Sequence, residues 1–491
     1  MTDTSLKQRI EELVEQNKDA ITADLQELLR FRTVSGGATD EAEALYLSET
    51  ERCLKFLEGK ATEMGLGWRN HDNKVAVMQL GENEKFIGLP VHVDVVPVGD
   101  GWTHGPFDGK VADGYIWGRG CQDDKGPVIQ VLWAVNIVRL LGGELSRGAR
   151  LIIGTKEECG DWADIKHYFK VEPEPEFSIV SDAGFPIING EKGMMNLRVE
   201  GKIPRDEEPN VGGYRFLSAT AGERANIVPD QALLTFEGDT ESDAAQLEKE
   251  LNRFLMQHIR AAATVSKSGN NAVITFTGRA AHGSTPQEGH NAALDLLLFM
   301  TESGFVTDDE ADMAQFLHEV ASDLTGARLD IAMTHHFIGS TTVNLGILDW
   351  KGAEIKATLN IRNTMGLLTS EAEKRAQKHF AEFAEETGFD VTAKINGRAV
   401  EPIFLDPEQY PDFINTLKEA YTTMTGRESK LVAIGGTTYA KAFPRAVVFG
   451  PVEPEDGEEE LAHQVNERVK VDHMMRNVKI YAYALARLCA S

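Results

Sequence analysis

Apolar residues recur at helical spacing from the start of the chain. Leu6, Ile10, Leu13, Val14, Ile21, Leu25, Leu28 and Leu29 predict an amphipathic helix covering a core, with Ser5 and Gln8 placed as a capping box. Beyond it, short apolar blocks alternate with helical ones. Val75–Leu80, Phe86–Val96, Arg150–Thr155 and Phe177–Ser181 read as strands, and Pro127–Leu141 reads as a helix ending at Gly142 and Gly143. Strand and helix in that alternation predict an α/β fold with a mixed, largely parallel sheet.

The pattern changes after about Glu191. Short β-like runs (Met194–Glu200, Gln231–Phe236, Ala272–Thr277, Glu354–Asn360) alternate with helical runs (Ala244–Ile259, Ala292–Thr301), which predicts a separate α+β domain inserted over 193–396. A polar loop, IPRDEEPNVGG, interrupts it. The segments 1–192 and 397–491 then form one domain, the second of them carrying a helix from about Tyr410, a strand at Ala446–Phe449 and a final helix over Asp472–Leu488. The acidic run EPEDGEEE (453–460) reads as a solvated loop.

Composition narrows the function. Acidic residues outnumber basic ones 77 to 50, and a formal charge of −27 opposes the phosphate-binding field that nucleic-acid recognition needs. Four cysteines, Cys53, Cys121, Cys159 and Cys489, are too sparse for a disulfide framework or a Cys-x-x-Cys zinc site and suit a reducing compartment. The N-terminal stretch lacks the basic start and apolar block of a secretory signal, and no run approaches the roughly 18 apolar residues of a membrane span. The expectation is a cytoplasmic protein without membrane or nucleic-acid partners.

Five segments carry candidate chemistry. In VHVDVVPVGDGW the period of a strand puts His92 and Asp94 on one face, so the carboxylate lies beside the imidazole or whatever the imidazole binds; the plain alternative is a satisfied core histidine. In GRGCQDDKGP, Asp123 and Asp124 precede a helix start, where Asp124 could simply be its N-cap. Glu157 and Glu158 follow a buried strand directly, a pairing that burial tolerates only with a proton or a cation, unless both are exposed at a helix start. Asp182 lies just past another apolar strand, and His463 precedes the last helix. Ligands of open α/β sheets gather at the carboxyl ends of strands, and His92, Glu158 and Asp182 fall at or near such ends. Two imidazoles with three carboxylates make a mixed N/O set suited to two zinc ions.

Taken in order, VHVDVVPVGDGWTHGPF, GRGCQDDKG, GTKEECG, SDAGFP, GRAAHGSTP and HQVNE resemble the motifs of the di-zinc peptidase superfamily of aminoacylase, glutamate carboxypeptidase and carnosinase, and ANIVP and GGTTYAK look most like its dipeptidase V subgroup. The resemblance implies a zinc-peptidase catalytic domain with an inserted lid. It implies two Zn²⁺ per chain, with Mn²⁺ or Co²⁺ as alternatives: His92, Asp123 and Asp182 on one, and Asp123, Glu158 and His463 on the other. It further implies Glu157 as general base, Asp94 as a catalytic residue beside the metal site, a cis peptide bond between Asp123 and Asp124, His282 of the lid polarising the scissile carbonyl, and Asn226, Arg362, Gly435 and Gly436 on the substrate side. Without the resemblance His282 reads as a loop-capping histidine, and a structural ion pair competes for Arg362. Thr437 and Lys441 depart from the family pattern, and Pro90 predicts an edge position or a bulge in the His92 strand. The implied activity is hydrolysis of dipeptides, with N-acyl amino acid deacylation or a carboxypeptidase reaction as the alternative. A noncatalytic scaffold is disfavoured, because all six proposed catalytic residues are present. Family members imply a monomer or a lid-mediated homodimer.

Overall fold

The computed structural model describes residues 3–159, 161–204, 214–238, 241–268 and 270–490. Most of the IPRDEEPNVGG loop lies outside them. The chain divides into two units: residues 1–190, 404–433 and 437–491, and residues 191–403 with 434–436.

The first unit is built on a mixed sheet. Seven of its nine strands run in the order Gly67–His71, Val75–Leu80, Gly148–Gly154, Phe86–His92, Phe177–Val180, Ala446–Val448 and Ile187–Glu191. The middle pairings are parallel and the flanking ones antiparallel. The Gly148–Gly154 and Phe86–His92 strands are buried along their whole length, as expected of strands covered on both faces. Helix Lys125–Leu141 packs against Val471–Cys489 and against Lys18–Leu29. The first fourteen of its residues are all buried, consistent with an apolar sequence that shows little polar face.

Three sequence expectations are corrected here. The predicted N-terminal helix is two, Asp3–Gln16 and Lys18–Leu29, broken at Asn17, and Ser5 lies inside the first turn rather than capping it. Pro90 occupies neither an edge nor a bulge, since its strand lies inside the sheet and keeps unbroken register with Gly148–Gly154. Val93 donates to Gly154 O, so alternate residues Val91 and Leu89 also face that strand, and Pro90 faces Phe177–Val180. Pairing on that side stops at Gly88, so proline's missing N–H leaves no rung unmade. The acidic loop 453–460 is tied down rather than solvated throughout. Glu453 is fully buried and accepts from Tyr421 Oη at 2.6 Å, and Asp456 pairs with both Arg427 and Arg476.

The second unit contains an eight-stranded sheet with every pairing antiparallel. Along Met195–Lys202 the residues Met195, Leu197 and Val199 are buried and their neighbours are not, so one face is dry. Helices Ala292–Ser303, Asp308–Ser322 and Thr369–Thr387 contribute to the same apolar core. No helix among the described residues is long and apolar enough to cross a membrane.

Candidate metal and catalytic site

The parallel strands of the first unit bring distant motifs to one sheet end. His92 closes the Phe86–His92 strand, Glu157 and Glu158 follow Gly148–Gly154, and Asp182 follows Phe177–Val180. Asp123 precedes helix Lys125–Leu141, and His463 sits in a loop with φ 65°. The peptide bond between Asp123 and Asp124 is cis, as the resemblance implies.

Ligand atoms of His92, Asp123 and Asp182 lie within 4.8 Å of one another, as do those of Asp123, Glu158 and His463. Asp123 is common to both groups. Its Oδ1 is 3.0 Å from His92 Nε2, its Oδ2 is 2.9 Å from His463 Nε2, and His463 Nε2 is 3.0 Å from Glu158 Oε1. Asp182 Oδ1 is 3.9 Å from His92 Nε2.

The donor set fits metal ions. His92 Nδ1 lies 3.0 Å from the backbone oxygen of Asp94, which can only accept, so in the neutral ring the lone pair is on Nε2 and points at the carboxylates. His92 Nε2 and Asp123 Oδ1 are buried, and among the described residues neither has a hydrogen bond of good geometry. A buried lone pair facing a carboxylate is satisfied by a cation between them.

Electrostatics point the same way. Burial first, then the charge of Asp123, push Glu158 up to about 7 and Asp182 up to about 6, with the His92 and His463 rings opposing. Burial also raises Glu157, with Asp182, Glu158 and Asp94 adding to it and His92 opposing. For Asp123 burial works upward too, but the His463 and His92 rings hold it below the usual carboxylate range. Hydrogen bonds to Asp123 and Glu158 raise His463 to about 11. These carboxyl groups outnumber the two imidazoles, and positive charge at their centre is what would let them ionise together.

Three carboxylates hold the loops in place. Asp94 accepts from the backbone amides of Glu157 at 3.0 Å and Glu158 at 3.1 Å and from Ser35 Oγ at 2.9 Å, so its side chain fixes the glutamate pair more than it touches His92. Asp124 has no capping bond to its helix; its Oδ2 accepts from the His92 amide at 2.9 Å. Glu467, the last residue of the HQVNE motif and not among the expected site residues, is fully buried and accepts from the amides of Gly120, Gln122 and Asp123 at 3.1, 2.8 and 3.3 Å. Arg119 Nη1 donates to its other oxygen at 2.6 Å.

The remaining predicted residues belong to the second unit. His282 Nδ1 lies 2.6 Å from Ser284 Oγ and 3.3 Å from the Ser284 amide, which must donate, so the neutral ring carries its proton on Nε2. Burial and the nearby Arg362 lower the pKa of His282, favouring that neutral ring. Arg362 is buried, and its guanidinium donates to Asn360 Oδ1 at 3.1 Å and to Gly435 O at 2.7 Å. No carboxylate pairs with it among the described residues, and burial alone lowers its pKa, to about 10. Asn226 is exposed, and its backbone oxygen accepts from the Gly283 amide at 2.7 Å. A Cβ at Gly435 would meet Ser284 Cβ at 2.3 Å, whereas one at Gly436 would meet only Ile434.

Known proteins resemble the chain over nearly its whole length. The model of Peptidase family M20/M25/M40 matches residues 88–487. "Putative dipeptidase YtjP" of Bacillus subtilis is 30% identical over 476 residues, covering 96% of this chain and 97% of that protein. "Putative dipeptidase SAB1611c" of Staphylococcus aureus is 31% identical over 484 residues, covering 97% and 99%. Among solved structures, human carnosine dipeptidase 1 shares the fold with a TM-score of 0.59 at 16% identity over 98% of both chains. With its strand-end cluster of histidines and carboxylates, the chain belongs to peptidase family M20/M25/M40 and is a metallopeptidase, a hydrolase acting on peptide bonds.

Proposed function

We propose that the chain hydrolyses dipeptides, with His92, Asp123 and Asp182 holding one zinc ion, Asp123, Glu158 and His463 a second, and Glu157 as general base. The observation that carries this reading is the convergence of two donor groups on the shared Asp123, with Glu157 next to the ligand Glu158. The similarity to putative dipeptidases of Bacillus subtilis and Staphylococcus aureus supports the short substrate. When bound, such ions polarise the scissile carbonyl and make water acidic enough to serve as nucleophile near neutral pH. Glu157 takes a proton from the attacking water and delivers it to the amine as the C–N bond breaks. Its raised pKa suits both halves of that exchange, because the acceptor must also give the proton back. His282, with its proton on Nε2, donates to the oxygen that gains charge. Arg362, a buried guanidinium without an ion pair among the described residues, grips the terminal carboxylate of the substrate, and Asn226, Gly435 and Gly436 line its binding surface.

The test is a panel of dipeptides, a tripeptide and N-acetylated amino acids, with added Zn²⁺ or Mn²⁺, comparing wild type with Glu157→Ala. Cleavage of unblocked dipeptides is expected, and the substitution should lower kcat by about 10²–10⁴-fold with metal content retained. Cleavage confined to N-acetylated amino acids would overturn the dipeptidase reading in favour of deacylation.

A further inference from the structure

Trp162 has φ 46° and ψ 40°, in the left-handed region that a residue with a bulky side chain rarely occupies. It stands at the N-cap of helix Ala163–Val171 yet makes no capping bond through its side chain. That backbone conformation turns the buried indole towards the catalytic loop, where Nε1 donates to Glu157 Oε1 at 3.0 Å. The indole meets the Tyr439 ring edge-on, with centroids 5.8 Å apart. Tyr439 is fully buried, and its hydroxyl donates to Asp164, whose same oxygen accepts the amides of Thr155 and Lys156 at 2.8 Å each. One network therefore reaches both the backbone leading into Glu157 and the carboxylate itself.

We propose that Trp162 is a positioning residue for Glu157, its indole N–H fixing the rotation of the carboxylate that carries the proton. Glutamate has a broad final torsion, so a backbone held by Asp94 and Asp164 does not by itself aim the oxygens. An indole N–H can only donate, so it engages a lone pair on one carboxylate oxygen and sets the plane in which the other lies. A hydrophobic ring alone would fill the same space against Tyr439 without that constraint. This inference rests on Glu157 acting as the base.

The experiment measures kcat and KM on an unblocked dipeptide, with metal content and melting temperature, for wild type, Trp162→Phe, Glu157→Asp and the double variant. Phenylalanine keeps a ring beside Tyr439 and removes the donor. Trp162→Phe is expected to lower kcat roughly ten- to hundredfold, the range for a hydrogen bond to a charged group, with KM moving by less than about twofold and metal content unchanged. In the Glu157→Asp background, where the carboxylate is already withdrawn by a methylene, the same substitution should cost almost nothing more. Equal, additive losses in both backgrounds, or an unchanged kcat, would overturn the proposal. Should Trp162→Phe lose metal or melt early, the benzothienyl analogue of tryptophan at this position replaces only N–H by sulfur, and the same kcat loss is expected of it. If Glu157→Asp leaves kcat intact, the base assignment falls. If it lowers kcat while the donor-free variants do not, the base stands and the positioning role falls.

Discussion

Glu467 shows how much a single buried side chain organises. It accepts from three amides of one loop and from the Arg119 guanidinium, and the last of those amides belongs to Asp123, the carboxylate common to both donor groups. Replacing it by leucine removes one partner of a buried ion pair and orphans the amides as well. Glu467→Leu should therefore destabilise the protein by about 3–5 kcal/mol in urea unfolding, and weaken metal binding measured by calorimetry. Glu467 is within reach of sequence reading, since it closes the same HQVNE motif that His463 opens. Its partners lie about 345 residues away, however, and nothing in local spacing announces them. His92, Glu158 and Asp182 were legible for the opposite reason: each sits at or just past the end of an apolar strand, and strand ends are where α/β sheets gather chemistry, whereas Asp123 and His463 sit in loops.

At the scale of elements, strands were the easiest to read, because an unbroken apolar run between turn residues has few other fates. The break at Asn17 was not legible, since apolar spacing continues across it from Val14 to Ile21. The acidic loop misled for a related reason. A run of like charge is normally solvated, and the cations that hold this one come from elsewhere in the chain, Arg427 from just past helix Pro411–Thr425 and Arg476 from helix Val471–Cys489. The turn at Gly435 gives a prediction that packing alone settles. An added methyl would collide with Ser284, whose hydroxyl contacts His282 Nδ1. Gly435→Ala should displace that histidine and lower kcat/KM by about a hundredfold, the effect of an ångström-scale misplacement, while metal content stays at the wild-type level.

For the whole molecule, the raised carboxyl groups make a pH prediction whose sign is fixed by linkage. Asp182 at about 6 and Glu158 at about 7 lie above their ordinary values, so the folded, metal-free chain binds more protons than the unfolded chain across that interval. The stability they contribute is complete at low pH and is lost as pH rises through 6 and 7. After chelation, the melting temperature should fall between about pH 5 and pH 8 on account of these groups, and adding metal should reverse the trend while releasing protons into the buffer. A melting temperature of the chelated protein that climbs steadily over that range would contradict the cluster's electrostatics. Chain order within the first unit has a further consequence. Ala446–Val448 lies between Phe177–Val180 and Ile187–Glu191 in the sheet, and helix Val471–Cys489 covers helix Lys125–Leu141, yet both are separated from those partners by the whole second unit. A ribosome therefore exposes the first 190 residues long before it makes the strand and helix that finish their sheet and core. The nascent first unit must wait, with apolar surface open, while the second can fold as soon as it emerges, which makes the early segment the natural client of a chaperone.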